Sequence, residues 1–153
     1  MNKTKHQSES EILFSYFNEI NIVSQLSSGI FEQNMPAGLT ISQFSVLNWF
    51  VRVDQQATPG RLSTAFQVTK GAMTNTLKKL QEKGLVTVEA DPESGRRKIV
   101  KMTTEGRKVR DAALLSIAPL LKELALNFKT SDIQKQLTGI AKVRQYLDEY
   151  RYR

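Results

Sequence analysis

The chain has 153 residues, 40% of them hydrophobic, a formal net charge of +7 and no cysteine. That length suits one compact domain, or a small domain extended by association helices, with enough apolar surface for a genuine core. The missing cysteine excludes disulfides, thiolate metal sites, catalytic thiols and thiol-based redox sensing, and no apolar run approaches the roughly 20 residues that span a bilayer.

The first ten residues, MNKTKHQSES, are polar and lack the apolar segment of a secretory signal, so the expected setting is cytoplasmic, with no membrane partner. His6, the only histidine, lies in this tail and reads as a solvated side chain rather than a ligand. Residues from about 10 to 33 read as a helix. Leu13, Tyr16, Phe17, Ile20, Val23 and Ile30 recur near helical spacing, Ile12 and Ile22 widen the apolar surface, and Pro36 with Gly38 ends the element. A second helix should begin near Ser42, capped by Thr40 or Ser42, and carry Phe44, Leu47, Trp49 and Val51.

Thr58-Pro59 is a helix-start signal: threonine can cap, and proline suits the first helical position because its missing N–H would be unpaired there anyway. A short helix is expected over 59–66, burying Leu62 and Phe66. After Gln67-Val68-Thr69, a second capped helix over 70–83 should close at Gly84, where a left-handed backbone is accepted. LVTVEA (85–90) and KIVKM (98–102) are short β-branched segments, and DPESG (91–95) between them suits a hairpin turn. Val86 with Val88, and Val100 with Met102, are spaced for one face of a strand. Thr103 should cap a long helix over 104–127, kinked or broken near Pro119, with Val109, Leu114, Leu115, Leu121 and Leu124 buried. Ser131 should cap a last helix with Ile133, Leu137, Ile140 and Leu147 along one side.

Charge is unevenly placed along these elements. Residues 1–60 sum to −2, residues 61–108 to +6 and residues 109–153 to +3. Nearly all the excess therefore sits in the middle third, where a basic surface favours an anionic polymer by releasing counterions from its phosphates, although an ordinary solubilising charge bias fits the composition equally well.

Two short helices joined by a tight turn and followed by a basic hairpin describe a winged helix-turn-helix, whose second helix is the recognition helix. On a helical wheel Met73, Leu77 and Leu80 share the inward face. Gly71, Asn75, Lys78, Lys79 and Glu82 then fall on the outward face, with Thr74 flanking. Asparagine can pair bidentately with adenine, and lysine can reach guanine or phosphate. Arg96, Arg97 and Lys98 should cluster at the hairpin tip, within reach of a phosphate or a minor groove. A solvated amphipathic helix fits the helix pattern alone equally well, and the basic hairpin tip beside it shifts the reading toward DNA.

The stretch QFSVLNWF, continued by PGRLSTAFQVTKGAMTNTLKKLQEKGLVTVEADPESGRRKIVKMTTEG, resembles the MarR family of transcriptional regulators. TKGAMTNTLKKLQEKGLV, DPESGRRKIV and MTTEG carry the likeness, which covers about residues 39–108. The resemblance implies a homodimer joined by its N- and C-terminal helices on a pseudo-palindromic operator, with recognition helices in major grooves and wings at minor grooves. It places Thr69 and Lys70 at the opening of the recognition helix, Thr74 and Lys79 at contact positions, and Arg96 as the wing arginine. Asn75 stands where many relatives have arginine, and Ser94 where an aspartate is common, which bears on base preference and wing geometry. Many relatives answer to small aromatic or phenolic effectors bound between the dimer helices and the DNA-binding lobe. Trp49, Tyr16 and Phe17 could line such a cleft here, although aromatics at helical spacing are more often core.

The expected architecture is thus mainly α with a small β-hairpin wing. An N-terminal dimerisation helix would occupy residues 1–36, the DNA-binding lobe 37–103, and C-terminal linker and dimerisation helices 104–153. Expected partners are double-stranded DNA, a second copy of the chain and a small-molecule effector. No catalytic residue, metal or cofactor is expected, since no HExxH, phosphate-cradling glycine loop or acidic pair occurs. The competing readings are a winged-helix protein-docking module and a small enzyme using carboxylate or lysine chemistry.

Overall fold

The computed structural model describes residues 7–153, so His6 lies outside the described residues. In chain order, α1 is Glu9–Asn34, followed by a 3-10 turn at Pro36–Gly38. Then come α2 (Ile41–Arg52), β1 (Gln56–Ala57), α3 (Pro59–Ala65), α4 (Lys70–Glu82), β2 (Val86–Asp91), β3 (Ser94–Met102), α5 (Thr104–Asn127) and α6 (Thr130–Tyr150).

Five of these helices start on one local device. Ser8, Thr40, Thr58, Thr69 and Thr103 each turn a side-chain oxygen back to accept the amide of the third residue on, namely Glu11, Gln43, Arg61, Ala72 and Gly106. Such a cap satisfies an amide the helix cannot pair and contributes about 1 kcal/mol. Glu11 and Gln43 reciprocate onto the amides of Ser8 and Thr40, completing capping boxes. The last helix departs from expectation: it begins at Thr130, behind Lys129 and without a side-chain cap, not on Ser131. The short helix 59–66 ends one residue early, with Phe66 as its C-cap. Gly84 has a φ of 70°, the left-handed conformation expected where α4 gives way to β2.

The wing is a three-stranded antiparallel sheet in the order β1-β3-β2, one strand more than the expected hairpin. Ala57 pairs with Val100, while Val86 pairs with Met102 and Val88 with Val100. The reversal takes only Pro92 and Glu93, because β3 already begins at Ser94. Beneath the sheet lies one core, containing Val46, Leu47 and Phe50 of α2, Leu62 of α3, and Met73, Leu77 and Leu80 of α4. Leu85, Val86, Val100 and Ala57 join it at the wing base, with Met35 and Leu39 around the 3-10 turn and Ala113 and Ile117 of α5.

The long helix contributes differently from the wheel reading. α5 runs through Pro119 as one helix, and its fully buried residues are Gly106, Ala113 and Ile117. Leu114, Leu115 and Leu121 are exposed, and Val109 and Leu124 are partly buried. Small side chains let α5 approach closely where it meets the wing base. There the Thr103 hydroxyl donates to the Gly84 carbonyl at 2.7 Å, and the Thr103 amide donates to the Leu85 carbonyl at 3.1 Å. Farther along, the Arg110 guanidinium donates twice to the Asn48 side-chain oxygen, at 2.6 and 3.1 Å, tying α5 to α2.

α1 and α6 present a contrasting picture, for neither buries a single residue completely. Their stripes stand open, with Phe14 76% and Leu137 65% exposed, and Leu126 near the end of α5 is 87% exposed. Among the described residues no helix is long and apolar enough to cross a membrane.

Candidate nucleic-acid interface

The helix-turn-helix is α3, the turn 66–69 and α4. The turn reverses tightly because Gln67 takes a φ of 58°, and the amides of Gln67 and Val68 return to the carbonyls of Thr64 and Ser63. α4 leaves this turn with Met73, Leu77 and Leu80 buried, as the wheel required. That orientation forces the opposite face outward. Thr69, Lys70, Gly71, Thr74, Asn75, Lys78 and Lys79 are all exposed.

The exposed side chains differ in how free they are. Thr69 is committed as the cap, so its oxygen serves the Ala72 amide at 3.1 Å. The amides at the very start of α4 lack intrahelical partners and point outward, an arrangement that attracts anions. Thr74 donates its hydroxyl to the Lys70 carbonyl at 2.8 Å, which leaves its oxygen as an acceptor. Asn75 and Lys79 make no side-chain hydrogen bond or ion pair among the described residues. Lys78 is 4.0 Å from Glu82, an exposed i,i+4 pair that contributes little and is readily exchanged for a phosphate. Lys83 faces the other way and is structural: its ammonium donates to the Gly38 carbonyl and to Gln43, at 2.9 and 2.8 Å.

On the wing, Arg96, Arg97 and Lys98 are exposed but do not form the single tip cluster expected. Lys98 sits in the ladder opposite Ala90, whereas the register jumps between that pair and Asp91↔Ser94. Gly95, Arg96 and Arg97 are thereby pushed out of the ladder beside the Pro92-Glu93 turn. Ser94 makes no side-chain hydrogen bond to either arginine among the described residues.

Recognition helix and wing meet in a groove of about 260 Å³, lined by Thr74, Lys78 and Gln81 of α4, Lys98 of β3 and Pro59 of α3, with Leu77 and Val88 beneath. Three residues expected to touch DNA thus converge across more than 20 positions of sequence. Gln81 had no signal of its own, because its neighbours define the stripe. Arg61, at the start of α3, is held elsewhere. It pairs with Asp54 at 2.6 Å and lies 5.0 Å from the centre of the Trp49 ring. The Arg61 hydrogen bond holds the Asp54 carboxyl below its ordinary range, so the carboxylate keeps this exposed contact through that range and loses it only as pH falls further, through the lowered value.

The three aromatics that could have lined one cleft do not do so: the Tyr16 and Phe17 rings meet edge to face, 5.5 Å between centres, while Trp49 lies elsewhere. Phe17 lines an apolar groove of about 410 Å³ with Ile20, Ile140, Val143 and Leu147, whose rim includes Gln67 of the helix-turn-helix turn. Trp49 lines a different cleft, with Asn48, Arg52 and Phe66, and Tyr16 lines neither. Among the described residues no group of three or more histidine, aspartate or glutamate side chains is placed to hold a metal ion.

Residues 37–97, the span from the 3-10 turn to the wing bulge, match the family model described as MarR family. No curated protein matches the chain. The fold is similar to that of the transcriptional regulator BldR from Sulfolobus solfataricus, with a TM-score of 0.78 at 23% identity, covering 92% of this chain and 99% of that one. It is equally similar to a mutant MarR from E. coli complexed with operator DNA, with a TM-score of 0.78 at 24% identity over 90% and 99% of the two chains. PcaV from Streptomyces coelicolor, in complex with its natural ligand, has a TM-score of 0.73 at 16% identity over 95% and 96%. Winged-helix folds of this kind, mainly helical with a small antiparallel wing, are what the sequence pattern required.

Proposed function

We propose that this chain is a DNA-binding transcriptional regulator of the MarR family, acting as a homodimer that represses transcription from a pseudo-palindromic operator. The observation that carries the proposal is the division of α4. Its apolar face is locked into the core, and its outward face offers Asn75 and Lys79 without internal partners, beside a groove shared with Lys98. A helix presenting an unpaired amide and ammonium at this spacing suits the major groove, where amides read base edges and ammoniums reach guanine or phosphate. Residues 37–103 would form the DNA-binding lobe, with 1–36 and 104–153 joining two copies. Two-fold symmetry would set the lobes on half-sites about 34–36 Å apart, one helical turn.

Release by a small aromatic or phenolic effector fits the apolar groove of Phe17, Ile20, Ile140 and Leu147. Because Gln67 stands at its rim, an occupant would bear on the turn that aims α4. A ligand that favours a geometry unable to meet both grooves lowers DNA affinity by its differential binding energy.

The experiment is selection of duplex DNA from a random pool, followed by fluorescence anisotropy over a series of salt concentrations. Tight binding to an inverted repeat, weakened steeply by salt, supports the proposal. Weak and equal binding to every duplex would overturn it in favour of a protein-docking module. On the selected site Asn75→Ala should cost about 1–3 kcal/mol at one base position and relax preference there. Lys79→Ala should instead weaken all sequences alike and lower the salt slope by about one. Unchanged preference at every position of the site after Asn75→Ala would remove Asn75 from base reading.

A further inference from the structure

The wing holds a carboxylate in an unusual position for a surface built to meet phosphates. Asp91, the last residue of β2, has a side chain only 12% exposed, and both its oxygens are engaged. Oδ1 accepts the Glu93 amide at 3.0 Å and closes the turn. Oδ2 faces the Nε of Arg97 at 3.4 Å. Arg97 belongs to the segment expelled from the ladder by the register jump, which begins at Asp91 itself. Arg96, its neighbour in that bulge, makes no hydrogen bond or ion pair among the described residues.

We infer that Asp91 and Arg97 form an internal strut that sets the shape of the wing bulge and so holds out Arg96, the wing arginine that the family resemblance already implies; this rests on the DNA-binding reading above. The chemistry separates the two arginines. Arg97 cancels the one wing carboxylate that is largely withdrawn from water, and so brings little net charge to the DNA. Without Arg97, Asp91 would present an uncompensated negative charge next to the phosphates and would lose its hold on the bulge. Because its Arg97 side is open to water, the pair adds little to stability, and its role is directional. Arg97, expected from its sequence position to contact DNA, becomes a positioning residue, as does Asp91. Arg96 keeps its full charge and its freedom to enter a groove.

The sign of one substitution separates this from simple electrostatics. Removing a negative charge beside DNA should tighten binding, whereas removing a positioning residue should loosen it. On the selected operator, Asp91→Ala is expected to bind about two- to fivefold more weakly than the wild type. Arg97→Ala should weaken binding by a similar factor with the salt slope unchanged, and Asp91→Ala/Arg97→Ala no more than either single change. Arg96→Ala should lower the salt slope by about one. In the free protein, Asp91→Ala should shift the side-chain Nε–H resonance of Arg97 and leave that of Arg96 in place.

Asp91→Ala binding as tightly as the wild type or tighter, or Arg97→Ala lowering the salt slope by about one, overturns the strut. An unmoved Arg97 resonance overturns it without any DNA in the tube. A wild type that binds no duplex overturns the DNA reading, and this assignment of Arg96 with it.

Discussion

Gly106→Ala should destabilise the chain by about 1–3 kcal/mol or more, although alanine is the better helix former. Two effects oppose each other at this position. Gly106 is the third residue of α5, where glycine ordinarily costs about 0.5–1 kcal/mol relative to alanine, so propensity alone predicts a gain. Against that, a Cβ here would collide with the Leu85 backbone carbonyl and press on the Met102 side chain. The obstacle is backbone rather than the end of a flexible side chain, so either β2 or α5 must move. The Leu85 carbonyl also accepts the Thr103 amide, and Thr103 both caps α5 and donates to Gly84. One methyl group thus strains every contact that joins the wing base to α5. For a chain of this length the change should lower the melting temperature by about 2–4 °C per kcal/mol, measured at one protein concentration because association also shifts it. Operator affinity should fall well below that temperature, since wing and recognition helix are aimed from this joint. An unchanged melting temperature would show that α5 does not approach Leu85 so closely.

The parts of this architecture that were legible in the sequence are those set by neighbours in the chain. Thr58, Thr69 and Thr103 cap because the amide they bind is three residues away, and Gly84 follows α4 because the chain must turn there. Met73, Leu77 and Leu80 betray the buried side of α4 because the other side is polar. α5 gave no such contrast. Its leucines lie all round the helix, so only the partner surface could decide that Ala113 and Ile117 go inward while Leu114 and Leu115 stay out. β1 is two residues long, too short for any alternation, and exists because Ala57 finds Val100 some 40 positions later. The basic residues of the site were read correctly as exposed. Their division of labour was not legible, because the bulge that joins Arg97 to Asp91 is a matter of strand register.

Leu137→Glu should separate the proposed homodimer into monomers and abolish tight operator binding while the fold of each chain survives. In the single chain Leu137 is among the most open apolar residues of α6, and it shares a stripe with Ile133, Ile140 and Leu147. α1 offers Leu13, Phe14, Val23 and Leu26 in the same condition, and Leu115 and Leu126 of α5 add to them. Apolar surface spread along helices of 26, 24 and 21 residues exceeds what a soluble monomer ordinarily leaves in water. Interfaces that fuse chains permanently bury about 2,000–5,000 Å² and are rich in such side chains, so association of these helices removes the anomaly. Because Leu137 contributes little to the core of its own chain, a carboxylate there leaves that core intact. In a two-fold interface the substitution enters twice, and each unpaired carboxylate costs several kcal/mol to bury. The dimer dissociation constant should therefore rise by a factor of at least about 10³, at 1.4 kcal/mol for each tenfold. Sedimentation analysis would read the change in mass, and circular dichroism the retained helix. The operator should then bind one lobe at a time, with roughly half the salt slope of the wild type, because each monomer meets only its own half-site phosphates. A Leu137→Glu protein that sediments as the wild type does would place α6 outside the interface, and a wild type that is monomeric at micromolar concentration would remove the symmetric operator with it.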